Sequence, residues 1–397
     1  MATNWKEIER QYYMQVVRRQ PVVIVRGKGT VVWDDFGKEY LDFTAGWAVN
    51  NVGHSNSAVA EAIANQAQTL LQTSNQFFTI PQLDLAQLLI DNSCMERVFF
   101  CNSGAEANEG AIKLAKKYGK LHLNGAYEII TALNSFHGRT MMNVSATGQP
   151  HYQQNFAPIP AGFTHVDFGD IAGIKTATTD RTVAVMLEPV QGEGGVRIPP
   201  PNYLKQVRDW CDEKNLLLIF DEVQTGMGRL GTLFGYQSFG VEPDIITLAK
   251  ALGGGVPIGA FLANEKAAVF EPGDHGSTFG GNALTCAAAH AATKYTIENN
   301  LSDKASRMGE ILGSGLEEIK RANPNTVADV RGMGLLWAIE YTSDISASVM
   351  AACNKAGLLL GILGTNGNRL MPPLTVSKDE INTAMERLDT GLKAVSN

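Results

Sequence analysis

The chain has 397 residues, with 33 Lys or Arg against 40 Asp or Glu, and a formal net charge of −7 at pH 7. This acidic balance argues against general nucleic-acid binding, which needs a basic surface to neutralise phosphates. Hydrophobic residues make up 44% of the chain, which provides a sizeable core and excludes disorder for most of it.

Other classes of protein are excluded by local sequence features. The N-terminal residues lack the apolar core of a signal peptide, and no apolar run reaches the ~18–20 residues of a membrane span. The five cysteines are dispersed without a Cys-x-x-Cys pair, which indicates reduced thiols and a cytoplasmic location. There is no His-Glu-x-x-His motif and no Cys/His cluster, so we expect no metal site.

In chain order, the first predicted element is a small hairpin within Pro21–Asp42. Short apolar runs then alternate with helical patterns, which predicts a mostly parallel sheet with helices on both faces. The predicted strands are Arg97–Cys101, Tyr127–Ala132, Val183–Val190, Leu216–Val223 and Asp244–Ala249, and helices are predicted at Gly104–Tyr118 and Tyr203–Asn215.

The pattern changes from about Ala283, where two long helices, a strand pair and a further helix are predicted. A last helix begins at Ser377, since Glu380 three residues later completes a capping box. The predicted fold is α/β, with a large domain over residues 61–282 and a smaller α+β domain over 283–397. Residues 1–60 are expected to pack with the smaller domain. The ranges of the four other C-terminal elements are Ala283–Asn299, Asp303–Ala322, Val327–Tyr341 and Ile345–Ala356.

Three short motifs at predicted strand ends carry chemistry. Ser103-Gly104-Ala105 joins a strand to a helix and can bind an anion through free N–H groups, although it also fits an ordinary turn. Asp221 ends an apolar strand, where a carboxylate is costly unless it is paired, and it also fits a helix cap. Lys250 lies between an apolar strand and three glycines, which suits an amine nucleophile or a solvated lysine.

A fourth motif is misleading. The segment 226–231 fits Gly-x-Gly-x-x-Gly, and Asp244 follows it at roughly the spacing of a dinucleotide-binding site. Such a site needs a helix that opens directly on the glycines. The following residues are rich in glycine and aromatic side chains, so this interpretation is rejected.

Six blocks in a fixed order identify a family. The phosphate turn and Lys250 stand in series with Phe136-His-Gly-Arg-Thr140, Leu187-Glu-Pro-Val-Gln-Gly-Glu193, Asp221-Glu-Val-Gln224 and Ser277-Thr-Phe-Gly-Gly-Asn282. Nearly the whole chain thereby resembles the class III aminotransferases, which bind pyridoxal phosphate on the fold type I architecture of aspartate aminotransferase. Thr73-Ser-Asn75 and Ser145-Ala-Thr-Gly148 resemble the matching segments of the acetylornithine aminotransferase branch of this family, whose enzymes act in arginine biosynthesis.

This resemblance implies roles for the cofactor site. Lys250 would form the Schiff base with pyridoxal 5′-phosphate and later carry the proton, and Asp221 would keep the pyridine nitrogen protonated. Thr278 would reach the phosphate of a neighbouring subunit, which implies a homodimer. The remaining cofactor contacts would come from Ser103, Gly104, Ala105, Phe136, Val223 and Gln224.

The resemblance also implies how two substrates share one pocket. Arg369 would bind the carboxylate beside the amine of glutamate, and Glu188 would cover Arg369 when the amine donor has no such carboxylate. Arg139 would bind the distant carboxylate of either substrate. By the same resemblance, Trp47 occupies a pocket-lining position at which relatives often have a smaller residue. His54 and His137 are interpreted as structural or pocket-lining residues.

The expected reaction is transfer of the ω-amino group of N-acetylornithine to 2-oxoglutarate. The alternatives within the family are 4-aminobutyrate, ornithine, acetyl-lysine and succinyl-diaminopimelate as donors, with a racemase or aminomutase disfavoured because neither needs an external dicarboxylate. A non-catalytic, pyridoxal-phosphate-binding regulatory protein is the alternative from another class. Its sequence signal would be the loss of Lys250, Asp221 or the phosphate turn, and all three are present.

Overall fold

The computed structural model describes residues 4–396. The α-helices are α1 (Trp5–Tyr12), α2 (Ala45–Ala48), α3 (Ser57–Thr69), α4 (Ile80–Asp91), α5 (Gly104–His122), α6 (Met141–Ala146), α7 (Pro150–Gln153), α8 (Ile171–Ala177), α9 (Tyr203–Lys214), α10 (Ala283–Glu298), α11 (Leu301–Ala322), α12 (Ser346–Ala356) and α13 (Lys378–Ser396). Short 3₁₀ helices lie at Gln154–Phe156, Gly235–Ser238 and Lys250–Gly253.

The strands belong to three sheets. They are β1 (Ile24–Lys28), β2 (Val31–Asp34), β3 (Glu39–Asp42), β4 (Arg97–Cys101), β5 (Glu128–Ala132), β6 (Phe163–Val166), β7 (Thr182–Leu187), β8 (Leu217–Asp221), β9 (Ile245–Leu248), β10 (Gly259–Ala263), β11 (Val327–Met333), β12 (Leu336–Tyr341), β13 (Leu358–Leu359), β14 (Gly361–Leu363) and β15 (Gly367–Leu370).

The central sheet has seven strands in the order β4-β10-β9-β8-β7-β5-β6. Strands β9, β8, β7, β5 and β6 pair in parallel, whereas β10 runs antiparallel to both β4 and β9. Every residue of β7, β8 and β9 is buried, as continuous apolar runs between two helical layers should be. The mostly parallel α/β sheet predicted from the sequence is therefore confirmed.

The N-terminal strands pack with the C-terminal part of the chain. Strands β1, β2 and β3 form a four-stranded sheet with β13, in which Leu41 pairs with Leu358 in parallel. A third sheet has the order β11-β12-β15-β14. The capping box before α13 is present, because the Ser377 amide donates to Glu380 Oε2 at 2.7 Å and the Glu380 amide donates to Ser377 Oγ at 3.2 Å.

The glycine-rich segment 226–231 lies in turns after β8 and precedes the 3₁₀ helix at Gly235–Ser238. No α-helix opens on it, so it lacks the element that a dinucleotide-binding turn requires. Among residues 4–396, none of the helices is long and apolar enough to cross a membrane.

Candidate active site

A cavity of about 460 Å³ lies where the central strands β4, β5, β7, β8 and β9 end. Ligands bind at this edge in open α/β sheets, because the loops that follow parallel strands converge there. Ten of the residues singled out from the sequence line the cavity: Ser103, Gly104, Ala105, Phe136, Arg139, Glu188, Asp221, Val223, Gln224 and Lys250.

Lys250 follows β9 after one residue, Ala249, and begins a 3₁₀ helix with a left-handed backbone conformation (φ +46°). Non-glycine residues pay a conformational cost there, and such strain concentrates at functional sites. Burial lowers the pKa of Lys250 to about 8, and the positive charge of Arg369 acts in the same direction. About a tenth of this amine is therefore neutral, and nucleophilic, at pH 7.

Asp221 ends β8 and is almost fully buried, but it is well paired. Its Oδ1 accepts the Val223 amide at 3.0 Å. Its Oδ2 accepts Asn108 Nδ2 at 2.7 Å and lies 2.8 Å from His137 Nδ1. A carboxylate offers about four acceptor positions, so one remains for a donor in the cavity. His137, interpreted from the sequence as structural or pocket-lining, is thus a direct partner of Asp221.

Ser103, Gly104 and Ala105 form the turn from β4 into α5. Helix α5 begins at Gly104, so the N–H groups of Gly104 and Ala105 have no acceptor within the helix and can face an anion. The Ser103 hydroxyl accepts the Glu106 amide at 3.2 Å and caps the helix. A Cβ at Gly104 would lie 2.8 Å from Val223 Cγ1, so a glycine keeps this corner of the cavity open.

Arg369 lies on β15 and is almost fully buried beside Gln224. Its Nη1 donates to Gln224 Oε1 at 3.2 Å, and its Nε has no partner among residues 4–396. Burial lowers the pKa of Arg369. A buried guanidinium with free donors is suited to a carboxylate ligand. Gly192 makes room for Gln224, since a Cβ there would lie 1.8 Å from Gln224 Oε1.

Glu188 does not pair with Arg369 in the described part of the chain. Its carboxylate oxygens accept the Phe136 amide at 3.1 Å and the Gly192 amide at 3.2 Å. Burial raises the pKa of Glu188 to about 7. The ion pair implied by the resemblance is therefore not formed in this conformation, because Glu188 is held by the backbone and Arg369 by Gln224.

A second acid lies near Arg369 and was missed at the sequence level. Glu193 lines the cavity, and it accepts Tyr152 Oη at 2.8 Å and Gln149 Nε2 at 2.7 Å. The negative charges of Glu193 and Glu188 both raise the pKa of Arg369, and Glu193 has the larger effect. The Arg139 guanidinium stacks 3.9 Å from the centre of the Tyr152 ring, which orders this wall of the cavity.

The set that lines the cavity leaves out three sequence-predicted site residues: Arg369, Thr278 and Trp47. Thr278 is exposed, and its carbonyl accepts Gln72 Nε2. Trp47 is 57% exposed in a four-residue turn, Ala45–Ala48, whose residues all have positive φ. The cavity edge is instead contributed by Val49, two residues after Trp47.

The residues present fit pyridoxal phosphate. A helix N-terminus offers free N–H groups for the phosphate, and Asp221 has a free acceptor position for a protonated ring nitrogen. Lys250 supplies an amine of lowered pKa for the aldehyde, and Phe136 and Val223 supply apolar surface for the ring.

Asn108 is a further residue that sequence reasoning missed. Its Nδ2 bridges Asp221 and the His137 carbonyl, and its Oδ1 accepts Thr247 Oγ1 at 2.7 Å. The available signal was spacing, because Asn108 lies one helical turn after Gly104 and so faces the same side of α5.

Comparisons with known proteins agree with this geometry. The family model for class-III aminotransferases matches residues 12–392. Two curated acetylornithine aminotransferases are similar to the chain: that of Methanocaldococcus jannaschii is 49% identical over 97% of both chains, and that of Methanothermobacter thermautotrophicus is 50% identical over 96% of both. The crystal structure of ornithine aminotransferase from Toxoplasma gondii ME49 superposes with a TM-score of 0.95 at 35% identity, covering 99% of this chain and 95% of that one.

Proposed function

The chain belongs to the class-III aminotransferases, and from this membership we propose that it transfers the 5-amino group of N-acetylornithine to 2-oxoglutarate. The products are N-acetylglutamate 5-semialdehyde and glutamate. The observation that carries this choice of donor is 49–50% identity, over nearly full length, to curated acetylornithine aminotransferases.

Pyridoxal phosphate is the cofactor of this family, and when bound it supplies an aldehyde that takes up the amino group and a ring that accepts electrons from the substrate carbon. We propose that Lys250 holds it through its Nζ and that Asp221 faces its ring nitrogen. The amides of Gly104 and Ala105, with Ser103 as the helix cap, would receive the phosphate. Phe136, Val223 and Gln224 would contact the ring.

The chain's own groups then have separate tasks. The neutral Nζ of Lys250 would take up the proton that leaves the reacting carbon of the substrate and transfer it to the cofactor, which its lowered pKa permits near neutral pH. The Asp221 carboxylate lies at the buried floor, where Asn108 and His137 orient it.

Substrate recognition would depend on two arginines. Arg369 is proposed to bind the carboxylate next to the amine of glutamate, and Arg139 to bind the distant carboxylate. Glu188 is the acid that the resemblance assigns to neutralising Arg369. The contacts of Glu193 favour it as the acid that moves, because flexible side chains hold it whereas backbone amides hold Glu188.

The active unit is proposed to be a homodimer in which Thr278 reaches the phosphate site of the other subunit. Thr278 is exposed and does not line the cavity of its own chain. Large apolar side chains near it are also exposed, with Phe77 at 64%, Phe78 at 93% and Phe279 at 62%. Several large apolar side chains exposed on neighbouring segments support a subunit interface here.

Ornithine is the second candidate donor, because the Toxoplasma ornithine aminotransferase superposes closely on this chain. The two donors differ at the α-amine, which is charged in ornithine and acylated in N-acetylornithine. The lower identity of 35%, against 49–50% for the acetylornithine enzymes, favours the acylated donor.

The test is a comparison of half-reactions on the purified holoenzyme. Each donor is mixed with the enzyme, and conversion of the cofactor is followed by its absorbance. N-acetylornithine should have a higher kcat/KM than each of the four other donors: ornithine, 4-aminobutyrate, acetyl-lysine and succinyl-diaminopimelate. A higher value for any of the other four would refute the proposed donor, and the Lys250→Ala variant serves as the inactive control.

A further inference from the structure

Arg229 is the largest side chain that is fully buried in the described structure, and it has no carboxylate partner there. Its Nη1 donates to the Leu335 carbonyl at 2.8 Å and to the Pro372 carbonyl at 2.6 Å, and its Nη2 donates to Asn51 Oδ1. Burial lowers the pKa of Arg229 to about 9. Burying a guanidinium whose only partners are neutral oxygen atoms costs free energy of folding, so a functional role has to be considered for this residue.

The three acceptors of Arg229 come from separate parts of the chain. Asn51 follows the Trp47 turn in the N-terminal segment, Leu335 lies between β11 and β12, and Pro372 follows β15. Arg229 itself lies on the loop after β8 that also carries Gln224. One guanidinium therefore joins the N-terminal segment and the C-terminal sheet to the loop that lines the cavity.

Asn51 completes the connection. Its Nδ2 donates to the Met227 carbonyl at 2.8 Å, and its own carbonyl accepts the Leu374 amide at 2.8 Å. The segment 372–374 is thus held from one side by Arg229 and from the other by Asn51. Pro372 has no N–H, so its carbonyl is the only backbone group through which it can be hydrogen-bonded.

This segment begins three residues after Arg369. The Arg369 side chain has a single hydrogen bond, to Gln224, among residues 4–396, and its Nε is free. One hydrogen bond and the packing around the buried side chain therefore orient the guanidinium. Its position depends mainly on where the backbone of β15 and the following turn is placed relative to the Gln224 loop, and Arg229 connects those two elements.

We propose that Arg229 is a positioning residue for dicarboxylate recognition: it sets the backbone that carries Arg369 against the loop that carries Gln224. The inference rests on the proposed role of Arg369 in binding the substrate carboxylate. Lysine cannot replace Arg229, because three acceptors in different directions match the planar fork of a guanidinium and not a single ammonium.

The test compares Arg229→Lys with wild type in the two half-reactions of the holoenzyme. We expect KM for glutamate to rise about tenfold or more, with little change in kcat, while kcat/KM for the amine donor changes much less. Calorimetry with glutarate, an unreactive dicarboxylate, should show a similar loss of affinity. If the proposed donor fails, the comparison is made with whichever donor the wild type uses.

Arg208→Lys is the matched control. Arg208 lies on α9 and is also largely buried, and it donates at 2.8 Å to Oδ2 of Asp244, which precedes β9 at the opposite edge of the sheet from the cavity. It should leave the KM for glutamate unchanged. Should Arg229→Lys not fold, Asn51→Ala removes one of the same contacts and carries the same expectation.

Three results would overturn the inference. One is an equal loss in both half-reactions that follows a lowered melting temperature, as a merely structural residue would give. Another is an unchanged KM for glutamate and an unchanged affinity for glutarate. The third is an Arg369→Ala variant without selective loss of the glutamate half-reaction, which would also remove the proposed role of Arg369.

Discussion

Nδ1 of His137 lies 2.8 Å from Oδ2 of Asp221 at the buried floor of the cavity. A carboxylate accepts hydrogen bonds, so the His137 tautomer with its proton on Nδ1 donates in this contact. Asn108 donates to the same oxygen. Two donors therefore fix the orientation of the carboxylate that is proposed to face the cofactor ring.

The His137→Phe variant should bind pyridoxal phosphate more weakly. Loss of a buried hydrogen bond to a charged group costs about 1.5–3 kcal/mol, or roughly 10- to 100-fold in the dissociation constant. The constant is measured by titrating apo-protein with the cofactor and following fluorescence. His54→Phe is the control, because His54 Nε2 makes the same kind of contact with Asp42 at 2.7 Å in the N-terminal segment. Equal weakening in both variants would contradict a specific role for His137.

Part of this site could be predicted because several of its reactive residues lie in short, continuous sequence motifs. Lys250, Asp221 and the Gly104 turn each follow an apolar strand, and the carboxyl ends of parallel strands meet at one edge. The partners of Asp221 could not be predicted in the same way. Asn108 and His137 come from two other segments, and only the packing of α5 against the sheet brings them together.

The strands show the same limit. The sequence prediction of β4 agrees with the structure at both ends, since it is a short apolar run between polar residues. Strand β10 was missed, because Gly259 and the preceding proline-containing turn interrupt the apolar pattern that marks the other central strands. It is recognised only by its antiparallel pairing with β4 and β9.

The reaction of apo-protein with pyridoxal phosphate should accelerate with rising pH. Only neutral amine attacks an aldehyde, and the pKa of Lys250 is lowered to about 8 by burial and by the charge of Arg369. The neutral fraction is therefore one half at about pH 8 and levels off above about pH 9. Stopped-flow absorbance measured from about pH 6 to about pH 10, roughly two units on either side of that pKa, gives the midpoint.

Removing the positive charge of Arg369 should move this midpoint upward, since a like charge disfavours the protonated amine. Arg369→Ala is compared with Arg208→Lys, because the Arg208 side chain lies at the opposite edge of the sheet from the cavity. The control should keep the wild-type midpoint. A midpoint that stays constant or falls in Arg369→Ala would contradict the electrostatic coupling between Arg369 and Lys250.

Glu193→Gln and Glu188→Gln should have different effects on the two half-reactions. Without an acid to neutralise it, Arg369 faces an amine donor that has no carboxylate at the reacting carbon, and an unpaired buried charge is costly. Glu193→Gln should therefore slow the donor half-reaction about tenfold or more and largely spare the glutamate half-reaction.

Glu188→Gln should instead impair both half-reactions alike. Glu188 accepts two backbone amides, and a glutamine side chain has only one acceptor oxygen for them. Single-turnover rates with glutamate and with N-acetylornithine give the ratio for each variant. A selective loss of the donor half-reaction in Glu188→Gln would return the switching role to Glu188, as the family resemblance implies.

Mixed dimers of two defective variants should recover activity if Thr278 acts across the subunit interface. Thr278→Asp places a negative charge where the phosphate of the neighbouring subunit is proposed to lie, and Lys250→Ala removes the nucleophile. In a hybrid dimer, one site combines both defects. The other combines an intact Lys250 with an intact Thr278 from the partner, so each hybrid contains one restored site.

The variants are mixed, exchanged through mild denaturation and separated by tags of different charge before assay. Each homodimer alone should be inactive or nearly so, and the purified hybrid should have about half of the wild-type activity, given two independent sites per dimer. If Thr278 served the cavity of its own chain, no site of the hybrid would be intact. The hybrid would then have no more activity than the two homodimers, because Lys250→Ala and Thr278→Asp would each disable the site of its own subunit.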